Sequence, residues 1–285
     1  MKRSGAFLLQ TKDEAKFKLW YYVVAVLLIL VYLLPIYILL NMSIRSVTDI
    51  GSRLFLPKNW NFGNYKTALF GGDVWIGFKN STIVVVETVA IQIIIGALAA
   101  YGLARSSGRI AESIRKLNMG IMMIPGLALL VGTYSLMVKM NMVNSLLGLS
   151  LLSAAGGLPG TIFLYANFIV AVPKSLDEAA AIDGAGVLRT FFRVIMPQLK
   201  AITVTQIILA ATGSWNNYLM PMYLLQKKTN FTIIQIIKSA FNQSNGNSNL
   251  PLACAICVIG LLPIIVLYLF LQKYIIQGQI DSSSK

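Results

Sequence analysis

Few of the 285 residues of this chain have side chains that could do covalent or metal chemistry. The sequence contains no histidine, which excludes imidazole metal ligands and the Ser–His and Cys–His pairs of nucleophilic catalysis. Its two cysteines, Cys254 and Cys257, have the CxxC spacing of redox and zinc sites, but they lie inside a long apolar run. Cysteines in such surroundings usually serve as small apolar side chains. We therefore expect neither an enzyme nor a metal site.

Polar side chains inside the apolar runs are the next candidates, because placing them in lipid is costly. Glu87 is the only acidic residue within such a run, and a charge there costs about 2.5–3.5 kcal/mol on insertion scales. It predicts either a hydrogen-bonded contact between helices or a polar group that lines a passage. Four consecutive residues place an aromatic ring beside a hydroxyl and two amides: Ser214, Trp215, Asn216 and Asn217. This group suits contact with a passing sugar, although amide pairs can also simply join helices.

A further set of polar and small residues forms an island between two apolar runs, with the sequence EAAAIDGAGVLRTFFRVIMPQLKA at 178–201. Ser175 and Glu178 have the spacing of a capping box, which predicts a helix that starts with Ser175 as its N-cap. Gly184 follows Asp183 and predicts a left-handed residue that ends this first helix.

The second half of the island predicts another short helix, at about residues 186–195. Its apolar side would carry Val187, Leu188, Phe191 and Phe192, with Arg189 and Arg193 in solvent. Such a helix-turn-helix could lie on lipid headgroups, which would explain the Phe and Arg residues. A run of alanines, however, adds little membrane affinity. A bare surface of Ala and Gly is better suited to close approach of another backbone, so docking of a soluble partner is favoured and surface binding stays the alternative.

The elements that must position these residues are membrane helices. The chain is 56% hydrophobic and 12% charged, and the charged share is about half that of a soluble protein. A helix needs about 20 apolar residues to cross a bilayer, and six runs qualify, at about 20–42, 80–104, 117–138, 147–172, 198–222 and 251–273. Only helices and closed barrels span lipid, and these runs are too long for barrel strands. We predict an all-α polytopic membrane protein with six transmembrane helices.

The net charge of +14 is explained by membrane topology rather than by nucleic-acid binding. Lys and Arg are more frequent in 1–19, 105–116, 173–200 and 273–285 than in 43–79, 139–146 and 223–250. Because cytoplasmic loops of membrane proteins carry an excess of Lys and Arg, both termini are predicted to be cytoplasmic. The first apolar run is too long for a cleaved signal peptide and is expected to be retained. The predicted organisation is a cytoplasmic segment at 1–19, a membrane domain at 20–273 and a cytoplasmic tail at 274–285.

The energy source for any transport must lie in another subunit. The longest segment between runs, 43–79, is too short for a catalytic domain, and no GxxxxGK[ST] phosphate-binding loop occurs. A secondary transporter would need an ion relay and often an internal repeat. A single carboxylate within the runs, no histidine and no evident repeat argue against that alternative.

The island closely resembles the signature loop of binding-protein-dependent ABC importer permeases. The resemblance is carried by Glu178-Ala179-Ala180, Asp183-Gly184-Ala185 and Ile195-Met196-Pro197. We call residues 174–197 the EAA loop. In that family, whose fold is the type I importer permease fold, the loop sits in a cleft of the ATPase subunit and transmits closure of the ATPase dimer. The resemblance thus implies a coupling role for Ser175, Glu178, Ala179, Ala180, Asp183, Gly184, Ala185, Phe191, Ile195 and Pro197.

Segments outside the EAA loop resemble the carbohydrate-uptake branch of that family, with its maltose-type systems. They include Asn64-Tyr65, Ala99-Ala100-Tyr101, Ala104-Arg105 and Trp215-Asn216-Asn217-Tyr218. The resemblance implies alternating access for a sugar or oligosaccharide in a bacterial cell membrane, with Glu87 and residues 214–217 along the pathway. It also implies a second, different permease subunit, a dimeric ATPase that uses ATP–Mg, and an extracellular or periplasmic solute-binding protein, with no cofactor on this chain. A permease for a non-sugar solute is the alternative.

Overall fold

The computed structural model describes the backbone of residues 4–242 and 249–283, and the side chains of residues 20–242 and 249–272. Within these residues every regular element is helical, which confirms the predicted all-α class. In chain order the helices are α1 (Ser4–Ser43), α2 (Gly63–Phe70), α3 (Val74–Arg105), α4 (Arg109–Met122), α5 (Leu130–Lys139), α6 (Leu146–Ala171), α7 (Ser175–Ile182), α8 (Val187–Thr190), α9 (Met196–Gln198), α10 (Lys200–Trp215), α11 (Leu219–Leu224), α12 (Ile233–Asn242) and α13 (Leu250–Ser283). Short 3₁₀ turns occupy Gly126–Leu129 and Lys228–Asn230, and a π-helical turn occupies Phe191–Ile195.

Among the described residues, four helical segments are long and apolar enough to cross a membrane: Trp20–Ser43, Val74–Arg105, Leu146–Ala171 and Leu250–Gln272. Two bent pairs reach that length if each counts as one span: Arg109–Met122 with Gly126–Lys139, and Val187–Gln198 with Lys200–Trp215. The described residues therefore hold four to six candidate spans, as expected for a multi-pass membrane protein. The side chains of the predicted cytoplasmic ends, 1–19 and 274–285, lie outside the described residues.

The third predicted span, 117–138, is not one straight helix. The chain bends by 94° between α4 and the helical segment Gly126–Lys139. Pro125 causes the break, because a proline pushes the preceding residue, here Ile124, out of the α conformation. The amides of Met123 and Ile124 close the turn by bonding to the carbonyls of Gly120 and Ile121, each at 3.1 Å.

The fifth predicted span, 198–222, is also interrupted. Helix α10 ends at Trp215, and the separate helix α11 follows at Leu219–Leu224. The side chain of Asn217 accepts a hydrogen bond from the Met220 amide at 3.3 Å, so it satisfies a free donor at the start of α11. The length of the apolar run did not indicate this interruption.

Two compact units can be distinguished, Met1–Gly71 with Gln243–Val258, and Gly72–Asn242 with Ile259–Lys285. In the first unit, the segment after α1 is fixed by the side chain of Arg45, which is only 2% exposed. Its guanidinium donates to the carbonyls of Gly51 and Ser52 at 3.2 and 2.7 Å, contacts that of Phe55, and pairs with Asp49 at 3.1 Å. These bonds hold residues 45–55 in one shape.

The second unit is built on α3, α6 and α10. Its core includes Ala97, Ala100, Tyr165 and Ile202, all buried. Helices α3 and α6 approach closely where Gly96 faces Thr161, since a Cβ on Gly96 would lie 2.6 Å from Thr161 Cγ2. Small residues at helix contacts allow this close packing in membranes. The EAA loop joins α6 to α10 and therefore lies at the end of this helix group.

Candidate functional site

The turn in the EAA loop is made by Gly184, whose φ of +75° lies in the left-handed region. The Gly184 amide bonds to Ala181 O at 3.0 Å, and the Ala185 amide bonds to Ala180 O at 2.9 Å. This pair of hydrogen bonds is a Schellman motif, which ends α7 and satisfies two of its last carbonyls. The predicted left-handed glycine is confirmed, and it fixes the angle at which the second short helix leaves.

The predicted capping box at the start of α7 is wrong. Ser175 is the first helical residue rather than the N-cap, and Lys174 occupies the N-cap position without a side-chain hydrogen bond. The backbone of Lys174 is already in the α conformation, and its carbonyl accepts from the amides of Asp177 and Glu178 at 2.9 and 3.1 Å. The helix therefore starts one residue earlier than predicted, and the exposed side chain of Glu178 is free of a capping role.

Asp177 instead ties the loop to the membrane helices. Its Oδ1 accepts a hydrogen bond from the Tyr101 hydroxyl at 2.5 Å, and its Oδ2 lies 2.9 Å from Arg105 Nη2. Arg105 also donates to the carbonyls of Ile169 and Val172 at 3.1 and 3.0 Å. One guanidinium thus joins the end of α3, the end of α6 and the start of α7. The sequence signal for this cluster was the i, i+4 spacing of Tyr101 and Arg105 on α3.

The inner side of the EAA loop is anchored by apolar side chains. Phe191, only 1% exposed, packs with its ring centroid 5.3 Å from that of Tyr101. Ile195 and Ala180 are also buried, and Phe191 and Ile195 belong to the core cluster of α3, α6 and α10. Of the four residues predicted on the apolar side of the second short helix, only Phe191 is buried. Val187, Leu188 and Phe192 are exposed.

The opposite side of the loop presents small and apolar residues to solvent. Ile182 is 87% exposed, and the other exposed members of this face are Glu178, Ala179, Ala181, Asp183, Gly184, Val187 and Leu188. We call this set the outer face of the EAA loop. Its two alanines and Gly184 leave the backbone accessible, while Ile182 and Leu188 add apolar area. Exposed apolar area grouped around an accessible backbone is typical of a docking surface.

The polar residues predicted along a pathway separate into two groups. Ser214 and Asn217 line a cavity of about 410 Å³ between α3, α6 and α10, whereas Glu87, Trp215 and Asn216 are not among its lining residues. Trp215 is 5% exposed, and its Nε1 donates to Gly260 O at 3.1 Å. Its ring lies 5.9 Å from that of Phe78. The indole is therefore engaged in packing between helices.

Three polar residues of this cavity were not among the site residues predicted from the sequence. Gln92, Thr161 and Gln206 come from α3, α6 and α10 and are each at most 5% exposed. Gln206 Nε2 donates to Gln92 Oε1 at 3.1 Å and to Thr161 Oγ1 at 2.7 Å. An isolated amide in the middle of an apolar run was the available signal. Among the described residues, there is no group of three or more His, Cys, Asp or Glu side chains placed to hold a metal ion.

Several known proteins are similar to this chain. The melibiose, raffinose and stachyose import permease protein MelC of Bacillus subtilis is 36% identical over 248 residues, 87% of this chain and 89% of MelC. The multiple sugar-binding transport system permease protein MsmG of Streptococcus mutans is 31% identical and covers 96% of this chain and 99% of its own. These relatives are named as transport permeases.

Solved structures agree on the fold. A chain from a bacterial ABC transporter involved in import of the acidic polysaccharide alginate superposes with a TM-score of 0.81 at 24% identity, covering 92% of this chain and 97% of that one. At that identity the likeness is one of fold. Residues 92–280 match the family described as the binding-protein-dependent transport system inner membrane component. Together with the similarity to MelC over most of both sequences, this match shows that the chain belongs to that family of membrane transport components.

Proposed function

We propose that this chain is a permease subunit of an ATP-driven importer for a sugar or oligosaccharide. Family membership supports the importer class. Sugar as the substrate is supported by the names of relatives such as MelC and MsmG, which match this chain over most of its length. The residues that line the cavity, which are uncharged and partly polar, also suit a sugar.

The observation that carries the proposal is the two-sided construction of the EAA loop. Its inner side is held to the membrane helices by the Asp177–Arg105 ion pair and by the buried ring of Phe191. Its outer face leaves Ile182 and Leu188 in solvent. A partner seated on the outer face would therefore pass its movement to α3 and α6, because the loop cannot shift without moving the groups that anchor it.

The partner on the outer face would be a dimeric ATPase, which binds and hydrolyses ATP–Mg. A second, different permease subunit would complete the membrane part of the importer. An extracellular or periplasmic solute-binding protein would deliver the sugar. With both termini in the cytoplasm of a bacterial cell, the EAA loop faces the ATPase. This chain then contributes no cofactor and no hydrolytic group.

Transport would proceed by alternating access. Closure of the ATPase dimer would move the EAA loop and bias the helices between inward-open and outward-open packings, as rigid-body transitions do in other two-state proteins. Ser214 and Asn217 would belong to the part of the pathway that this subunit provides, since both line the cavity between α3, α6 and α10. Glu178, Ala179, Asp183 and Gly184 would contact the ATPase from the outer face.

A charge on the outer face tests the docking role. Ile182→Glu places a carboxylate where apolar contact is proposed, and Ile110→Glu is the matched control, because Ile110 is 79% exposed in a segment also predicted to be cytoplasmic. Each variant is expressed with the partner permease, ATPase and binding protein from the same genome. We expect Ile182→Glu to lose ATPase on purification and to lower uptake about tenfold or more, the effect of about 1.4 kcal/mol. Wild-type uptake with bound ATPase in Ile182→Glu would refute the docking role.

A further inference from the structure

Three neighbouring helices each supply one buried polar side chain to a single cluster. Gln92 on α3, Thr161 on α6 and Gln206 on α10 are joined by the hydrogen bonds described above, and Thr161 also donates to Gly157 O at 3.0 Å. A Cβ at Gly157 would lie 2.1 Å from Gln92 Nε2, so the absence of a side chain there makes room for the amide. The cluster has a defined geometry and forms one wall of the 410 Å³ cavity.

Two hydroxyls beside the cluster lack partners of their own. The Oγ atoms of Ser153 and Ser214 are buried and make no hydrogen bond within the described residues. Both serines line the cavity. A buried polar group without a partner costs about 1–3 kcal/mol. A ligand that can donate to and accept from these hydroxyls would remove that cost on binding.

The rest of the lining limits the chemistry of the ligand. It carries Phe163 and aliphatic side chains such as Leu164 and Leu209, and none of the described residues that line it is acidic or basic. A charged solute would enter this space without a counter-ion, which is unfavourable in low dielectric. A saccharide has both hydroxyls for the amides and serines and C–H faces for an aromatic ring. The volume lies within the range of about 300–1,000 Å³ that is usual for small-molecule sites.

We propose that this cavity is a saccharide-binding subsite within this subunit, selective for uncharged sugar units over acidic ones. Gln92, Gln206, Ser153 and Ser214 supply its hydrogen bonds, and Phe163 supplies its stacking surface. The inference rests on the proposed function, and it adds which residues of this chain hold the sugar and which class of sugar they accept.

Filling the cavity from Gly213 tests the subsite. Gly213 lines the cavity, and a Cβ added there meets no atom of the described residues within 4 Å, so a side chain grown from it extends from open space. The series Gly213→Ala, Gly213→Val and Gly213→Leu is compared with the same series at Gly156, a glycine of α6 that also has open space around it but does not line the cavity. The complete importer with its binding protein is reconstituted in liposomes, and ATP-driven uptake is measured with labelled raffinose, stachyose and trigalacturonate.

The expected result is uptake of a neutral oligosaccharide that falls with side-chain size at Gly213, by about tenfold for Leu, while the Gly156 series stays at wild-type uptake. Ser214→Ala should raise KM for that sugar severalfold without lowering the melting temperature, because the Ser214 hydroxyl makes no hydrogen bond to any described residue. Uptake of neutral sugar that is unchanged in Gly213→Leu would refute the subsite while leaving the importer function intact. Uptake of trigalacturonate alone would refute the selectivity, and ATP-driven uptake of no saccharide at all would refute both.

Discussion

Arg105 Nη2 lies 2.9 Å from Asp177 Oδ2 and 3.0 Å from the carbonyl oxygen of Val172. The side chains of Arg105 and Asp177 are only 14% and 20% exposed. A single cation therefore connects the last turn of α3, the C-terminal end of α6 and the first turn of the EAA loop. Positive charge near the carbonyl end of a helix is also favourable to its dipole. This arrangement makes Asp177 a mechanical attachment of the loop rather than part of its outer face.

We predict that Asp177→Asn loosens this attachment without removing the outer face. Uptake should fall about tenfold or more, the equivalent of about 1.4 kcal/mol, because a hydrogen bond to a charged group contributes about 1.5–3 kcal/mol. ATPase should still co-purify, and ATP hydrolysis should continue, so the ratio of sugar moved to ATP hydrolysed is the quantity to measure. Glu112→Gln is the control, because the Glu112–Lys116 pair is exposed and contributes little. A normal transport ratio in Asp177→Asn would contradict the role of the ion pair.

The turn of the EAA loop provides a second prediction. Gly184→Ala places a Cβ at φ +75°, which costs roughly 1–2 kcal/mol in the left-handed region. We expect the affinity of the ATPase for the permease to fall by roughly 5- to 30-fold, measured by titration in detergent. Gly186→Ala is a matched control, because Gly186 has φ −73° and open space around it. Equal affinities for the two variants would show that the angle between the loop helices is unimportant.

The indole of Trp215 is expected to stabilise the fold rather than to bind sugar. Trp215→Phe removes the indole donor to Gly260 O, a buried hydrogen bond worth about 0.5–1.5 kcal/mol. The melting temperature of the purified permease complex should drop by a few degrees, while KM for sugar stays unchanged. Trp60→Phe changes an exposed tryptophan and should leave both quantities unaltered. If Trp215→Phe raised KM for sugar while keeping wild-type stability, Trp215 would be a substrate contact instead.

A substitution at Glu87 tests whether this protein is an ATP-driven importer or a proton-coupled transporter. One of its carboxylate oxygens is buried without a hydrogen-bond partner among the described residues, and the residue does not line the cavity. Glu87→Gln keeps the size of the side chain but cannot carry a proton, so uptake should remain close to that of the wild type. Collapsing the proton gradient in liposomes loaded with ATP should have equally little effect. Loss of uptake in both measurements would favour a proton relay through Glu87.

Some features encoded by a few adjacent residues could be predicted from the sequence, others could not, and the long-range contacts were not predicted. The Asp183-Gly184 pair predicts its turn because φ at that position depends on the local residue. The capping box at Ser175 failed because Lys174 took the α conformation instead. Gln92 and Gln206 are paired although they lie 114 positions apart in the sequence. The length of an apolar run predicts a helix but not which helices pack together. Pro125 was visible as a helix breaker, but the long apolar run around it suggested a continuous span.

The way Arg45 holds the segment after α1 has a consequence for how this protein can diversify. Its guanidinium binds the backbone carbonyls of Gly51, Ser52 and Phe55, and Asn41 binds those of Arg53 and Phe55. The side chains of Leu54 and Phe55 are therefore not needed to keep the shape. Leu54 and Phe55 point their side chains into solvent. Substitutions at Leu54 and Phe55 can therefore accumulate on an unchanged frame, whereas Gly51 is constrained, because a Cβ there would lie 2.9 Å from Asp49 Oδ1 and 3.3 Å from Arg45 Nη1. A lineage could acquire a new surface here in single steps, none of which has to rebuild the segment that carries it.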